Sequence, residues 1–156
     1  AAQNKPLTWM TPTGFKVTQD YRKQVSRKVS TWLHGSLTAV RFRDDTDDID
    51  PRKQSNGASP NIVHSLDASG LVRSVNEGYH RGIADFAVIH DSYATHSTNG
   101  DVLAAAIKDS FAELFSQNIL ADLQSQWEDD GTELLPLPDF GEFDPSEVKN
   151  SKYFFS

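Results

Sequence analysis

Apolar and β-branched positions change rhythm along the chain, and each rhythm predicts a different element. Val25–Leu33 and Ser36–Arg43 are two β-leaning stretches on either side of His34-Gly35. A glycine there supplies the positive φ of a tight turn, so a β-hairpin is predicted over residues 25–43. Ser59-Pro60 then has the grammar of a helix start, a hydroxyl N-cap followed by proline at the first helical position. Val63, Leu66, Val72, Val75 and Tyr79 recur mostly at three- and four-residue spacing, which predicts an amphipathic helix over 59–81 despite Gly70. Phe86–Ile89, the polar His90-Asp91-Ser92 and Tyr93–Thr95 read as strand, turn and strand within 84–96. Residues 99–156 form a helical tail: Leu103, Ile107, Phe111, Leu114 and Phe115 make one apolar helix face, a second helix spans Ile119–Trp127, and Pro145–Lys149 closes with a short turn of helix. The resulting fold class is α+β. The terminal Tyr153-Phe154-Phe155-Ser156 is expected to dock on an apolar surface, because exposed aromatics at a chain end are costly.

Composition narrows the chemistry. The chain has no cysteine, which excludes disulfides, thiolate zinc sites and a cysteine nucleophile. No apolar run approaches the roughly 20 residues that span a bilayer, so no membrane partner is expected. The opening Ala1-Ala2-Gln3 lacks an initiator methionine, which predicts a chain processed or cut from a longer one. Charge is segregated. Residues 1–43 carry Lys5, Lys16, Arg22, Lys23, Arg27, Lys28, Arg41 and Arg43 against Asp20 alone, a local +7 in a chain of net −7. A basic arm on an acidic body suits contact with a polyanion, and equally describes a solvated surface. Asp44, Asp45, Asp47, Asp48 and Asp50 follow, a run whose self-repulsion predicts an exposed loop. It lacks the central glycine and terminal glutamate of a calcium-binding EF-hand.

Asp91 is the sharpest candidate for chemistry. A carboxylate at the tip of a short hairpin is a hard-oxygen ligand of the kind Mg²⁺ takes, one or two at a time with phosphates and water. The alternative is an aspartate that hydrogen-bonds its own turn. Adjacent Ser92, His90 and Asp91 do not make a hydrolytic relay, since neighbours in a strand face opposite ways. His64 stands one helical turn before Asp67 and is expected to be oriented by it.

Four segments, in order, resemble the single-subunit DNA-directed RNA polymerases of bacteriophages and mitochondria. They are Trp9-Met10-Thr11-Pro12-Thr13-Gly14-Phe15, Pro60-Asn61-Ile62-Val63-His64-Ser65-Leu66-Asp67, Val88-Ile89-His90-Asp91-Ser92 and the tail from Gly141 through Tyr153-Phe154-Phe155-Ser156. The resemblance implies the C-terminal palm and fingers portion of such an enzyme: a specificity hairpin (25–43), a long central helix (59–81), a palm hairpin (84–96), and a helical tail with a C-terminal foot (99–156). It implies Asp91 as a catalytic ligand of a Mg²⁺ pair, and His64 as a residue approaching nucleic acid. His90, Phe155 and Ser156 would stand beside that centre. Lys28, Ser30, Thr38 and Val40 fall at the hairpin positions that read base edges. Val40 cannot hydrogen-bond a base, which shifts that task to Arg41.

The implied partners are promoter and template DNA, the RNA product, nucleoside triphosphates and the remainder of a polymerase chain. The implied location is the cytoplasm of a bacterial host, with the mitochondrion as the alternative. The family's other metal-binding aspartate and its triphosphate-binding helix lie upstream of these segments, so the 156 residues alone are expected to be inactive with weak or absent Mg²⁺ binding. Two other classes remain open: a non-catalytic DNA-binding module using the basic hairpin, and a metal-dependent phosphohydrolase using Asp91 and histidines.

Overall fold

The computed structural model describes residues 4–128 and 134–154. In chain order the elements are β1 (Leu7–Met10), β2 (Lys16–Gln19), β3 (Arg22–Leu33), β4 (Ser36–Ile49), α1 (Pro51–His80), β5 (Ala87–Ile89), β6 (Ser92–Ala94), α2 (Gly100–Phe115) and α3 (Ile119–Glu128), with short 3-10 helices at Ser97–Asn99 and Pro145–Asn150. The strands form three two-stranded sheets, β1 with β2, β3 with β4 and β5 with β6, giving the expected α+β class. The chain divides into two units, Ala1–Thr8 with Thr18–Ile62 and Trp9–Val17 with Val63–Ser156.

The first unit is dominated by the β3–β4 ribbon. Its pairing runs without interruption from Val25↔Asp44 to Leu33↔Ser36, leaving His34 and Gly35 as a two-residue turn. Both turn residues are left-handed, with φ of 50° and 79°, as a type I′ turn requires. The ribbon continues past Arg43 through Asp44, Asp45, Asp47 and Asp48, which are strand and not loop, and Asp50 lies just beyond it. The strand's carboxylates meet partners from β3: Asp44 faces Arg27 at 3.8 Å, Asp45 accepts from Gln24 at 2.9 Å, and Asp48 faces Lys23 at 3.6 Å. Opposed cations and a donor amide remove the repulsion that favours a loop, and pairing extends to Ile49.

Helix α1 begins nine residues before the expected Ser59-Pro60 start. Asp50-Pro51 has the same cap-then-proline grammar, and Asp50 Oδ1 accepts from the backbone N–H groups of Arg52 and Lys53, both at 3.1 Å. Pro60 therefore lies inside the helix, where it removes one backbone bond. A buried glutamine pair ties the same segment to β2: Gln19 Nε2 donates to the Gln54 carbonyl, and Gln54 Nε2 donates to the Gln19 carbonyl, each at 2.8 Å.

In the second unit α1 packs through small residues. Val63, Val72 and Tyr79 of the predicted apolar stripe are exposed, whereas Ser69, Ser74 and Gly78 are buried. Ser69 and Ser74 return their hydroxyls to the carbonyls one turn back, Ser65 and Gly70, each at 2.8 Å, so their burial leaves no polar atom unpaired. Side chains this small let neighbours approach closely. Trp9, 2% exposed, bonds Ser65 through its indole N–H at 3.0 Å, and Gln126 of α3 bonds the backbone of Met10 in both directions. The core centres on Ile83, Leu103 and Ile107, with Phe86, Tyr93, Val102 and Phe154 packed against it. The tail is helical to Glu128, without regular structure over 134–144, and closes with the expected short 3-10 helix. Phe154 meets Phe111 of α2 edge-on at 4.8 Å, whereas Tyr153 is exposed; of the expected aromatic terminus, Phe154 docks.

An ion network locks these parts together. Arg81 contacts Asp109 at 2.6 Å and Glu77 at 2.7 Å, and Lys149 contacts Asp109 at 3.0 Å. Arg81, and then Lys149, hold the Asp109 carboxyl below its usual range against the opposing effect of burial. A carboxyl depressed in the folded state contributes stability above its unfolded pKa of about 3.9, and that stability is lost as pH falls through the lower folded value.

Two predictions follow from this packing. Asp50→Ala should destabilise the fold by about 1 kcal/mol in urea unfolding, with Ser59→Ala within about 0.5 kcal/mol of wild type; the reverse order would return the helix start to Ser59. Asp109→Asn should lower stability at pH 7 and flatten the acid-side loss below about pH 4, followed by denaturant midpoints across a pH series.

Candidate catalytic hairpin and nucleic-acid interface

Asp91 sits where the alternation of its hairpin predicts. Val88 pairs with Tyr93 and Ile89 with Ser92, so His90 and Asp91 are a two-residue turn. His90 takes φ 55° and Asp91 has no such left-handed φ, the sign pattern of a type II′ turn, whose first position normally holds glycine. A histidine held there is a strained choice of residue, of the sort found where a turn aims a neighbouring group. The Asp91 carboxylate is exposed and makes no hydrogen bond or ion pair among the described residues. The self-bonded Asx turn is therefore absent, and the oxygens are free for an external ligand.

Three residues per strand cannot hold a hairpin in place unaided. Its anchor is Tyr93. The ring packs on the Ile83–Leu103–Ile107 cluster, and Ser74, which is 2% exposed and donates to Gly70, acts on its phenol. Burial pushes the Tyr93 phenol up, with the Asp67 and Asp91 charges adding to the effect and the Ser74 side chain opposing it. Tyr93 thus feels a carboxylate from α1 as well as the one at the turn. Thr95 adds a bond from its hydroxyl to the Asp85 carbonyl at 2.8 Å, closing the base of the hairpin.

His64 is exposed on α1, in the same unit, and makes no hydrogen bond or ion pair with Asp67, so that orienting contact is not formed. Phe155 and Ser156 lie outside the described residues. No group of three or more His, Cys, Asp or Glu side chains is placed to hold a metal among the described residues. Asp91 fits a Mg²⁺ ion as one carboxylate ligand, the share such an ion commonly takes from a single protein element.

The ribbon separates the other candidates. In an antiparallel pair, opposed residues share a face and the face alternates along each strand. Lys28↔Arg41 and Ser30↔Ala39 lie on one face together with Ser26↔Arg43 and Trp32↔Leu37. Thr38 and Val40 pair with Thr31 and Val29 on the opposite face, among Val25, Leu33 and Phe42. The five predicted reading positions thus split between two surfaces. Lys28, Arg41 and Arg43 make no ion pair among the described residues, whereas Arg22, Lys23 and Arg27 are each matched to an aspartate. The unpaired cations of the ribbon are collected on one face, and Arg43 joins it by the same two-residue count that links it to Arg41.

The profile of the DNA-dependent RNA polymerase family matches residues 1–134. The chain belongs to that family. Its relatives are of the phage-type, single-subunit kind. It is 35% identical over its whole length to DNA-directed RNA polymerase 1A of Nicotiana tabacum, of which it spans 99%. It is also 35% identical to the mitochondrial DNA-directed RNA polymerase 1 and the chloroplastic DNA-directed RNA polymerase 3 of Nicotiana sylvestris, spanning 15% and 16% of their lengths. No helix among the described residues is long and apolar enough to cross a membrane. Within this polymerase chain the sequence pointed to Asp91 but not to Tyr93, Ser74 or Trp32. Strand alternation around the turn would have marked Tyr93 as inward-facing; a serine in a helix carries no such signal.

Tyr93→Phe and Ser74→Ala should each destabilise the chain by about 1 kcal/mol, and the double variant by clearly less than their sum, because the Ser74 side chain acts on the Tyr93 phenol. Additive losses in denaturant unfolding would show that the two side chains act separately.

Proposed function

We propose that this chain is the C-terminal part of a DNA-directed RNA polymerase that adds nucleotides from NTPs to an RNA 3′ end, with Asp91 as one of its metal-binding carboxylates. The supporting observation is the unpartnered, exposed carboxylate at the tip of a hairpin pinned through Tyr93. Mg²⁺, when bound, lowers the cost of deprotonating the 3′-hydroxyl and stabilises charge on the transferring phosphate. Asp91 contributes a fixed, ionised oxygen. The His90 turn and the Tyr93 anchor limit how far that oxygen wanders, so little ordering remains when a cation arrives. His64, exposed on α1, is suited to approach the nucleic acid near that centre. The basic face of the ribbon supplies phosphate contacts through Lys28, Arg41 and Arg43, with Ser30 available to a base edge. Thr38 and Val40 belong to the other face and are assigned to shape or packing. The 156 residues on their own are expected not to polymerise, because two-ion catalysis needs a further carboxylate and a grip on the triphosphate. The names of the relatives, one mitochondrial and one chloroplastic, favour an organelle over the cytoplasm.

Asp91→Asn in the polymerase carrying these residues tests the assignment. Elongation on a pre-formed primer–template should fall by about a thousandfold, the rate equivalent of several kcal/mol of lost charge stabilisation, with DNA affinity nearly unchanged. Near-normal elongation would remove Asp91 from catalysis and favour a DNA-binding module without chemistry.

A further inference from the structure

The turn end of the β3–β4 ribbon carries more apolar surface than phosphate or base-edge contacts require. Trp32 is 72% exposed, and Leu37, directly opposite on the same face, is 62% exposed. Leu33 borders the turn at 54%. A large aromatic left in water forgoes the stabilisation of burial, and clustered exposure of this sort marks a contact site. Nothing in the ribbon's own pairing uses the indole face.

Its neighbours on that face say what the ring would meet. Two and four residues back along β3 stand Ser30 and Lys28; Arg41 opposes Lys28, and Arg43 follows on β4. The face is therefore a line of unpaired cations that ends in an aromatic platform. Cations that follow a phosphate chain, together with an aromatic ring that receives a base, are the two components of single-strand recognition. A base inside a duplex shows only its edge, since both of its faces are stacked. A ring at the end of the phosphate track is matched to a base that has left the stack.

We propose that Trp32 stacks on an unpaired DNA base where the duplex opens, while Lys28, Arg41 and Arg43 hold phosphates of the same strand. Leu37 widens the platform beneath that base. The proposal rests on the DNA-binding reading of the hairpin and goes beyond it by assigning an opened strand, not a closed groove, to the tip.

The test uses the polymerase that carries the hairpin and two DNAs of one sequence, fully paired and with a pre-opened bubble, with Kd measured at several salt concentrations. Trp32→Ala should weaken bubble binding about tenfold or more, as loss of one base–aromatic stack does, leaving duplex affinity and the salt slope unchanged. Trp32→Phe should retain most of the bubble affinity, since a ring face remains. An equal loss on both DNAs, no loss on the bubble, or a phenylalanine variant as weak as alanine overturns the assignment. Lys28→Ala and Arg41→Ala probe the underlying reading separately. Each should weaken both DNAs and lower the salt slope by about 1; no change in either quantity would show that the hairpin does not touch DNA at all.

Discussion

The packing of the Tyr93 ring on the Ile83–Leu103–Ile107 cluster is the constraint on which the placement of Asp91 depends. The β5–β6 hairpin has too few residues to fix its own position, and the Asp91 side chain contributes nothing to holding it. What remains is one ring in the Ile83–Leu103–Ile107 cluster and the Thr95 hydroxyl on the Asp85 carbonyl at the hairpin's base. Helix α1 presents serine and glycine inward, and the buried Ser74 acts on the Tyr93 phenol. The polar, small-residue face of α1 is thus linked to the turn that aims the candidate catalytic carboxylate. The Arg81–Asp109–Lys149 network serves the same region from the surface, joining the end of α1 to α2 and the closing 3-10 helix.

The ribbon of the first unit follows a different logic. Its strands bury almost nothing, and its order comes from cross-strand pairs and from charge matching along the stem. Arg27 with Asp44 and Lys23 with Asp48 are exposed pairs, individually worth little, yet they decide whether Asp44, Asp45, Asp47 and Asp48 repel into a loop or continue a strand. Consuming those cations in the stem leaves Lys28, Arg41 and Arg43 as the free ones. The same pattern of aspartates that lengthens the hairpin therefore also concentrates its uncompensated charge on one face, away from the matched stem.

How much of this was legible in the sequence follows from which forces are local. The His34-Gly35 turn and the two-residue turn at His90-Asp91 were readable because turn chemistry is set by adjacent residues. The start of α1 was misplaced because Asp50-Pro51 and Ser59-Pro60 carry equivalent signals. Choosing between them requires knowing that β3 neutralises the aspartates just before the helix. The inward face of α1 was hidden because hydrophobic periodicity scores valine above serine, whereas packing here selects small residues with self-satisfied hydroxyls. The split of Lys28, Ser30 and Arg41 from Thr38 and Val40 was available in principle. It follows from a two-residue turn and strict alternation, but a resemblance transferred position by position carries no face information.

That last point bears on how recognition and chemistry are divided within the chain. A carboxylate that is to bind a metal must be held to within a fraction of an ångström, and Asp91 stands on an element anchored in the Ile83–Leu103–Ile107 cluster. A surface that reads nucleic acid gains from the opposite condition. The β3–β4 ribbon, solvated on both faces, belongs to the low-stability end of the structure, where local adjustment is cheap. Its apolar and cationic faces can then be matched to a partner after contact, with Trp32 free to turn about its two side-chain torsions until a base face is met. The Asp91 hairpin is anchored in a buried cluster and Trp32 stands in solvent, and the sequence encodes both by where it places serine and where it places charge.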